Sequence, residues 1–111
     1  MFVRMYTGSD GQSHFEELTV TMGQPGRSPV QAATGISFNS AEPGHFMDWH
    51  NAPRRQYVII LSGLFEIGIG EGTTRRLGPG DVLLAEDLTG RGHTTRTVGN
   101  QTRLSATIPL A

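Results

Sequence analysis

Apolar residues in this chain fall in short runs or alternate with polar ones, and turn residues separate them. Phe65, Ile67 and Ile69 share one face of an extended segment, as the two-residue period of a strand requires. Further upstream, Phe15, Glu17, Thr19 and Thr21 would share one face, and Glu16, Leu18, Val20 and Met22 the other. The run from Tyr57 to Leu61 is apolar throughout, the pattern of a strand covered on both faces. No window carries a helical apolar period. The pattern predicts strands over 2–6, 15–22, 31–39, 47–50, 55–62, 65–69, 73–77, 82–86, 94–98 and 103–108. Loops are expected around Pro25-Gly26, Gly70-Glu71-Gly72 and Gly78-Pro79-Gly80. Many short strands cut by glycine and proline predict an all-β barrel or sandwich.

Length adds that residues 1–111 form one domain with a modest core, for which a homodimer is a reasonable expectation. The formal net charge of -1 gives no basic face, so nucleic acid is not expected as a partner. No apolar stretch approaches the length of a membrane span, and the first residues lack a signal-type apolar region, so a cytoplasmic location is expected. There is no cysteine, which removes disulfides, thiolate nucleophiles and thiolate-bound metals. All nine basic residues are arginine, which removes Schiff-base chemistry on a lysine. Histidines, carboxylates, hydroxyls and amides remain.

The chemistry-bearing residues concentrate between Gly44 and His93. Gly44 is followed after five residues by His50, then by Gln56 and, six intervening residues later, by Gly63. Gly78-Pro79-Gly80-Asp81 opens a second group that ends at His93, with Asp87 and Gly90 between. These two groups resemble the two sequence motifs of the cupin superfamily; the motif region spans about residues 44–98, and the likeness runs over about residues 38–98. The stretches from Asp48 to Tyr57 and from Glu86 to His93 look like those of small, largely uncharacterised single-domain cupins. Two departures stand out. Ala52 occupies the position of the second motif histidine, and Gln56 that of the motif glutamate.

The resemblance implies a double-stranded β-helix, or jelly-roll barrel, often dimeric. It also implies that His50, Gln56 and His93 meet inside the barrel, where imidazole and oxygen donors suit a divalent Fe, Mn, Ni or Zn ion. On a straight strand Asp48, His50 and Ala52 would share the inward face, making Asp48 a candidate fourth ligand, ligand-orienting group or acid–base residue. Glu86 is the other candidate for moving protons. Arg54, Tyr57 and Asp87 are candidate pocket residues; Arg54 at the barrel mouth would suit a substrate carboxylate, although a solvated role for the Arg54-Arg55 pair stands beside it. Tyr57 reads equally as core, and Asp87 as a turn residue. Trp49 is expected on the outer face, and His14 and His45 at the surface.

Two functions follow. One is a metal-dependent cupin acting on a small organic molecule, of dioxygenase, isomerase or lyase type. The other is a metal-free small-ligand-binding module, or an acid–base enzyme, in which His50 and His93 address the ligand directly. The segment before Gln31 is expected to lend an edge strand to a partner's sheet.

Overall fold

The computed structural model describes residues 1–19 and 28–111, which hold ten strands. In chain order they are β1 (Phe2–Thr7), β2 (Ser13–Glu17), β3 (Ser37–Ala41), β4 (Phe46–His50) and β5 (Gln56–Ser62). They continue as β6 (Leu64–Ile69), β7 (Thr73–Leu77), β8 (Val82–Glu86), β9 (His93–Val98) and β10 (Arg103–Pro109). One sheet has six strands in the order β2-β1-β8-β5-β10-β3, the other four in the order β4-β9-β6-β7. No helix among the described residues is long and apolar enough to cross a membrane.

The core lies between the sheets because alternating side chains from both point inward. Val3, Met5, Ile60, Leu83 and Ala85 come from the larger sheet, and Phe65, Ile67, Ile69 and Leu77 from the smaller. Removing this apolar surface from water is the main stabilising term of such a sandwich. The predicted Phe65-Ile67-Ile69 face is thus the core face of β6, each of its residues at most 6% exposed.

Several expected elements shift. The apolar run Tyr57–Leu61 lies on β5, which is hydrogen-bonded to β8 on one side and β10 on the other. Only one of its faces is sealed: Ile60 is fully buried while Leu61 is 44% exposed. The run therefore marks a central strand, as expected, but not one covered on both faces. The strand expected over 31–39 shortens to Ser37–Ala41. Residues 31–36 are exposed, Gly35 interrupts them, and a single bridge joins Ala33 to Leu110. The strand expected over 15–22 is Ser13–Glu17, and Val20, Thr21 and Met22 lie outside the described residues. The expected loop at Pro25-Gly26 lies outside them too.

Within the segment before Gln31, β2 stands at the edge of the larger sheet, whereas β1 lies inside it. β1 pairs with β2 on one side and β8 on the other, and Val3 and Met5 are fully buried. Its apolar alternation with Phe2 and Tyr6 outside serves this chain's own sandwich.

Two glycines let strands approach closely enough to build the interior. A Cβ on Gly63 would lie 2.8 Å from Arg103 Cα and 2.9 Å from the Thr102 carbonyl, at a φ of +78°. A Cβ on Gly92 would lie 2.1 Å from the His50 carbonyl oxygen, at a φ of +79°. Both positions combine a left-handed backbone with a near-touching neighbour chain, which only glycine tolerates.

Candidate functional site

His50 ends β4 and His93 begins β9, and the two residues are paired across the antiparallel ladder. A β-bulge sets which β4 side chains accompany them. Met47 pairs with Thr95 and His50 with His93, so two β4 residues stand opposite the single Thr94. The bulge puts Met47 and His50, three apart in sequence, on the same inward side. Both line one cavity together with Ala52, Gln56, His93 and Thr95. Across it, β10 presents Arg103, Ser105 and Thr107. Val58, Phe65, Leu83 and Ala85 supply an apolar floor. The cavity measures about 240 Å³, room for a small organic molecule.

Both imidazoles have their proton positions set by neighbours. His50 Nδ1 lies 2.7 Å from the Asp48 carbonyl oxygen, which can only accept, so Nδ1 carries the hydrogen. His93 Nδ1 lies 2.6 Å from Asp87 Oδ2, and Ser13 Oγ donates to the same oxygen at 2.7 Å. In each neutral ring Nε2 keeps a lone pair with no partner among the described residues. The ring centroids are 4.3 Å apart and inclined at 59°.

Asp87 is central to this arrangement. It is 0% exposed, and its other oxygen, Oδ1, has no hydrogen-bond partner among the described residues. The loop that carries it is tied to the end of β4. The Ala52 amide donates to the Asp87 carbonyl, and Asn51 Nδ2 donates to the carbonyls of Thr89 and Gly90. The chain Ser13–Asp87–His93 thus joins the larger sheet's edge strand to the cavity wall.

With that geometry in place, the likeness to solved structures is decisive for the fold. A cupin superfamily protein of Desulfitobacterium hafniense matches with a TM-score of 0.55 at 18% identity, over 86% of this chain and 98% of that one. A protein with a double-stranded β-helix domain from Klebsiella pneumoniae matches with a TM-score of 0.53 at 20% identity, over 80% and 76%. The chain has the cupin fold. The cupin domain of Cnp3 from Schizosaccharomyces pombe aligns as well, with a TM-score of 0.55 at 16% identity over 88% of this chain and 74% of that domain. No family model matches the sequence. No curated protein matches it either.

Within this cupin fold the predicted site residues separate into two groups. His50, Gln56 and His93 line one cavity, and Ala52, 6% exposed, lines it where the second motif histidine would stand. Asp48 does not join them. The bulge takes it out of the alternation expected of a straight strand, and its carboxylate accepts from the Trp49 amide at 2.9 Å on the exposed side. Only its backbone carbonyl serves the site.

Glu86 also lies outside the lining. Ala85 points inward on β8, so Glu86 points outward, where Arg4 donates to it at 2.6 Å and Arg55 donates to its second oxygen. Burial would raise its carboxyl, but the hydrogen bonds and charges of Arg4 and Arg55 outweigh that and hold it below the usual glutamate value. A carboxylate bound this way is poorly suited to trading protons at neutral pH.

Arg54 is exposed and away from the cavity. Tyr57 faces the outer side of β5, donates to Gln31 Oε1 at 2.9 Å and meets the Phe2 ring edge-on. Trp49 lies on the outside as expected, with the Arg91 guanidinium 3.9 Å over its ring.

The sequence pattern gives no prominence to Arg103 or Ser13. Arg103, Ser105 and Thr107 alternate with Leu104, Ala106 and Ile108, a legible two-residue signal. Polar residues on one face ordinarily mark the solvent side, yet here that face looks inward. Ser13 carries no signal, because its partner Asp87 is distant in sequence.

The donor set fits a resident divalent metal poorly. Among the described residues no group of three histidines or carboxylates is placed to hold a metal ion. Two neutral imidazoles and a neutral amide would face the ion, with no carboxylate in the lining and the Arg103 guanidinium in the same cavity. Hard and borderline cations are ordinarily balanced by anionic ligands or kept by three strong donors.

Proposed function

We propose that this cupin fold binds a small polar organic molecule directly, without a resident metal. The observation that carries the proposal is the His50–His93 pair: Nδ1 of each ring is engaged, Nε2 is left to accept, and no carboxylate lines their cavity. A ligand hydroxyl or amide would donate to these nitrogens. Gln56, Ser105 and Thr107 would complete its hydrogen bonds, and the apolar floor would take its carbon skeleton. His93 backed by Asp87 is also an arrangement suited to a general base, which leaves room for acid–base turnover of the bound molecule.

The competing proposal is a divalent metal held by His50, Gln56 and His93. It is favoured by the anchoring of both imidazoles through Nδ1, the way metal-ligating histidines are commonly oriented. Such an ion would act as a Lewis acid on a small organic substrate.

Thermal melts of protein treated with EDTA, screened against small hydroxy acids, keto acids, amides and polyols, separate the two. Stabilisation that survives the chelator and is lost in His50→Ala supports direct binding. Stabilisation that needs added metal overturns it.

A further inference from the structure

Four of the eight arginines among the described residues have acidic partners. Arg4 and Arg55 bind Glu86, Arg75 binds Glu17, and Arg76 binds Glu66. Arg54, Arg91, Arg96 and Arg103 have none among the described residues, and of these four Arg103 alone is not exposed. It is partly buried in the wall of the His50–His93 cavity, and no carboxylate lies within salt-bridge distance of it among the described residues. Residues 20–27 contain no Asp or Glu that could supply one. Its Nε–H is buried and makes no hydrogen bond among the described residues, an omission that is ordinarily costly.

The guanidinium is held in place rather than loose. It stacks 4.2 Å from the centroid of the Phe65 ring, and Gly63 lets its backbone sit against the neighbouring strand. A planar donor fork fixed by stacking, with an unused buried N–H, is pre-organised for a planar two-oxygen acceptor.

We propose that Arg103 is the anchor for a carboxylate, so that the cavity takes a small organic acid whose carboxylate meets Arg103 and whose polar substituent reaches His50 and His93. This rests on the direct-binding function proposed above and names its ligand class. A carboxylate is favoured over a phosphate because the cavity offers one guanidinium against a largely apolar floor, within about 240 Å³. A dianion would leave a charge unmatched in that setting.

The test compares acids with their own amides, so that only the charge changes. Lactate, pyruvate and propionate are titrated into EDTA-treated full-length protein beside lactamide, pyruvamide and propionamide, with inorganic phosphate as a further arm. The readouts are thermal shift and the ¹⁵N–¹H signal of the Arg103 side-chain Nε–H, assigned by its loss in Arg103→Lys. At least one acid should bind saturably, move that signal, and bind about tenfold or more tightly than its amide. Arg103→Gln should remove the preference for the acid.

Equal binding of acid and amide, abolished by His50→Ala, would overturn the carboxylate anchor and leave direct binding standing. Tighter binding of phosphate than of any carboxylate would also overturn it. Absence of binding by every acid and amide would overturn both. The acid–amide comparison is made in the unaltered protein, so it holds even if Arg103→Gln folds poorly.

Discussion

Asp87 Oδ2 lies 2.6 Å from His93 Nδ1 and receives the Ser13 hydroxyl at 2.7 Å, in a residue with no solvent exposure. One carboxylate oxygen therefore orients the cavity histidine and ties β9 to β2. Its removal would strand two donors. Asp87→Ala is expected to cost about 2–4 kcal/mol in urea unfolding, since each buried unsatisfied group costs about 1–3 kcal/mol. Asp87→Asn should cost less, because its amide oxygen can keep the Oδ2 position. If both substitutions were neutral, the Ser13–Asp87–His93 chain would have no structural weight.

Gly92 carries a related expectation. At its φ of +79°, a Cβ would come within 2.1 Å of the His50 carbonyl oxygen, so any side chain pushes β4 away from the loop. Gly92→Ala should destabilise by more than about 2 kcal/mol, combining left-handed strain with a backbone clash. Gly44→Ala, also at positive φ but with open space around its Cβ position, should cost less. Chemical denaturation of the two variants side by side checks the order.

Glu86 makes a prediction about acid. Burial pushes its carboxyl up, yet Arg4 and Arg55 hold it below the ordinary value in the folded protein. A depressed folded-state pKa contributes stability that is complete above the unfolded value of about 4.5 and is lost as the pH falls through the folded value. Glu86→Gln should therefore lower stability at pH 7 by about 1–2 kcal/mol, a modest figure because both guanidiniums are partly in solvent. The same change should flatten the loss of stability below the ordinary glutamate range. An unchanged acid limb would contradict the Arg4–Glu86–Arg55 account. Binding of the cavity ligand should be unaffected, since Glu86 does not line the cavity.

The outer face of the larger sheet bears on assembly. Phe38 is 67% exposed and Leu104 39%, on the neighbouring strands β3 and β10. Exposed apolar residues that adjoin in this way commonly mark a contact surface. We propose that this face carries self-association, so light scattering should give a smaller mass for Phe38→Ser/Leu104→Ser than for the unaltered protein. A dimer that persists in the double variant would place the contact elsewhere.

Much of this fold is legible in the residues themselves. Glycine and proline mark the strand ends, and the two-residue alternation of β6 names its core face. His50, Gln56 and His93, far apart in sequence, do reach one cavity. Asp48 departs from expectation because a single extra residue in β4 reverses the faces beyond it, and a bulge leaves little trace in local composition. Glu86 departs for a different reason. The alternation along β8 already turns it outward and Asp87 inward, but its pairing with Arg4 depends on a strand at the other end of the chain. Arg103 is hard to single out from sequence because an inward polar face on a closing strand looks like a solvent face until a second sheet lies over it.

Direct ligand binding by the His50–His93 cavity is tested most simply by the metal content of the purified protein. Samples incubated with Fe(II), Mn(II), Ni(II) or Zn(II) and desalted would be analysed beside His50→Ala and His93→Gln. Metal far below one equivalent, with no difference between the unaltered protein and either variant, is the predicted result. One equivalent retained by the unaltered protein and lost in both variants would contradict the proposal and make His50, Gln56 and His93 a metal centre.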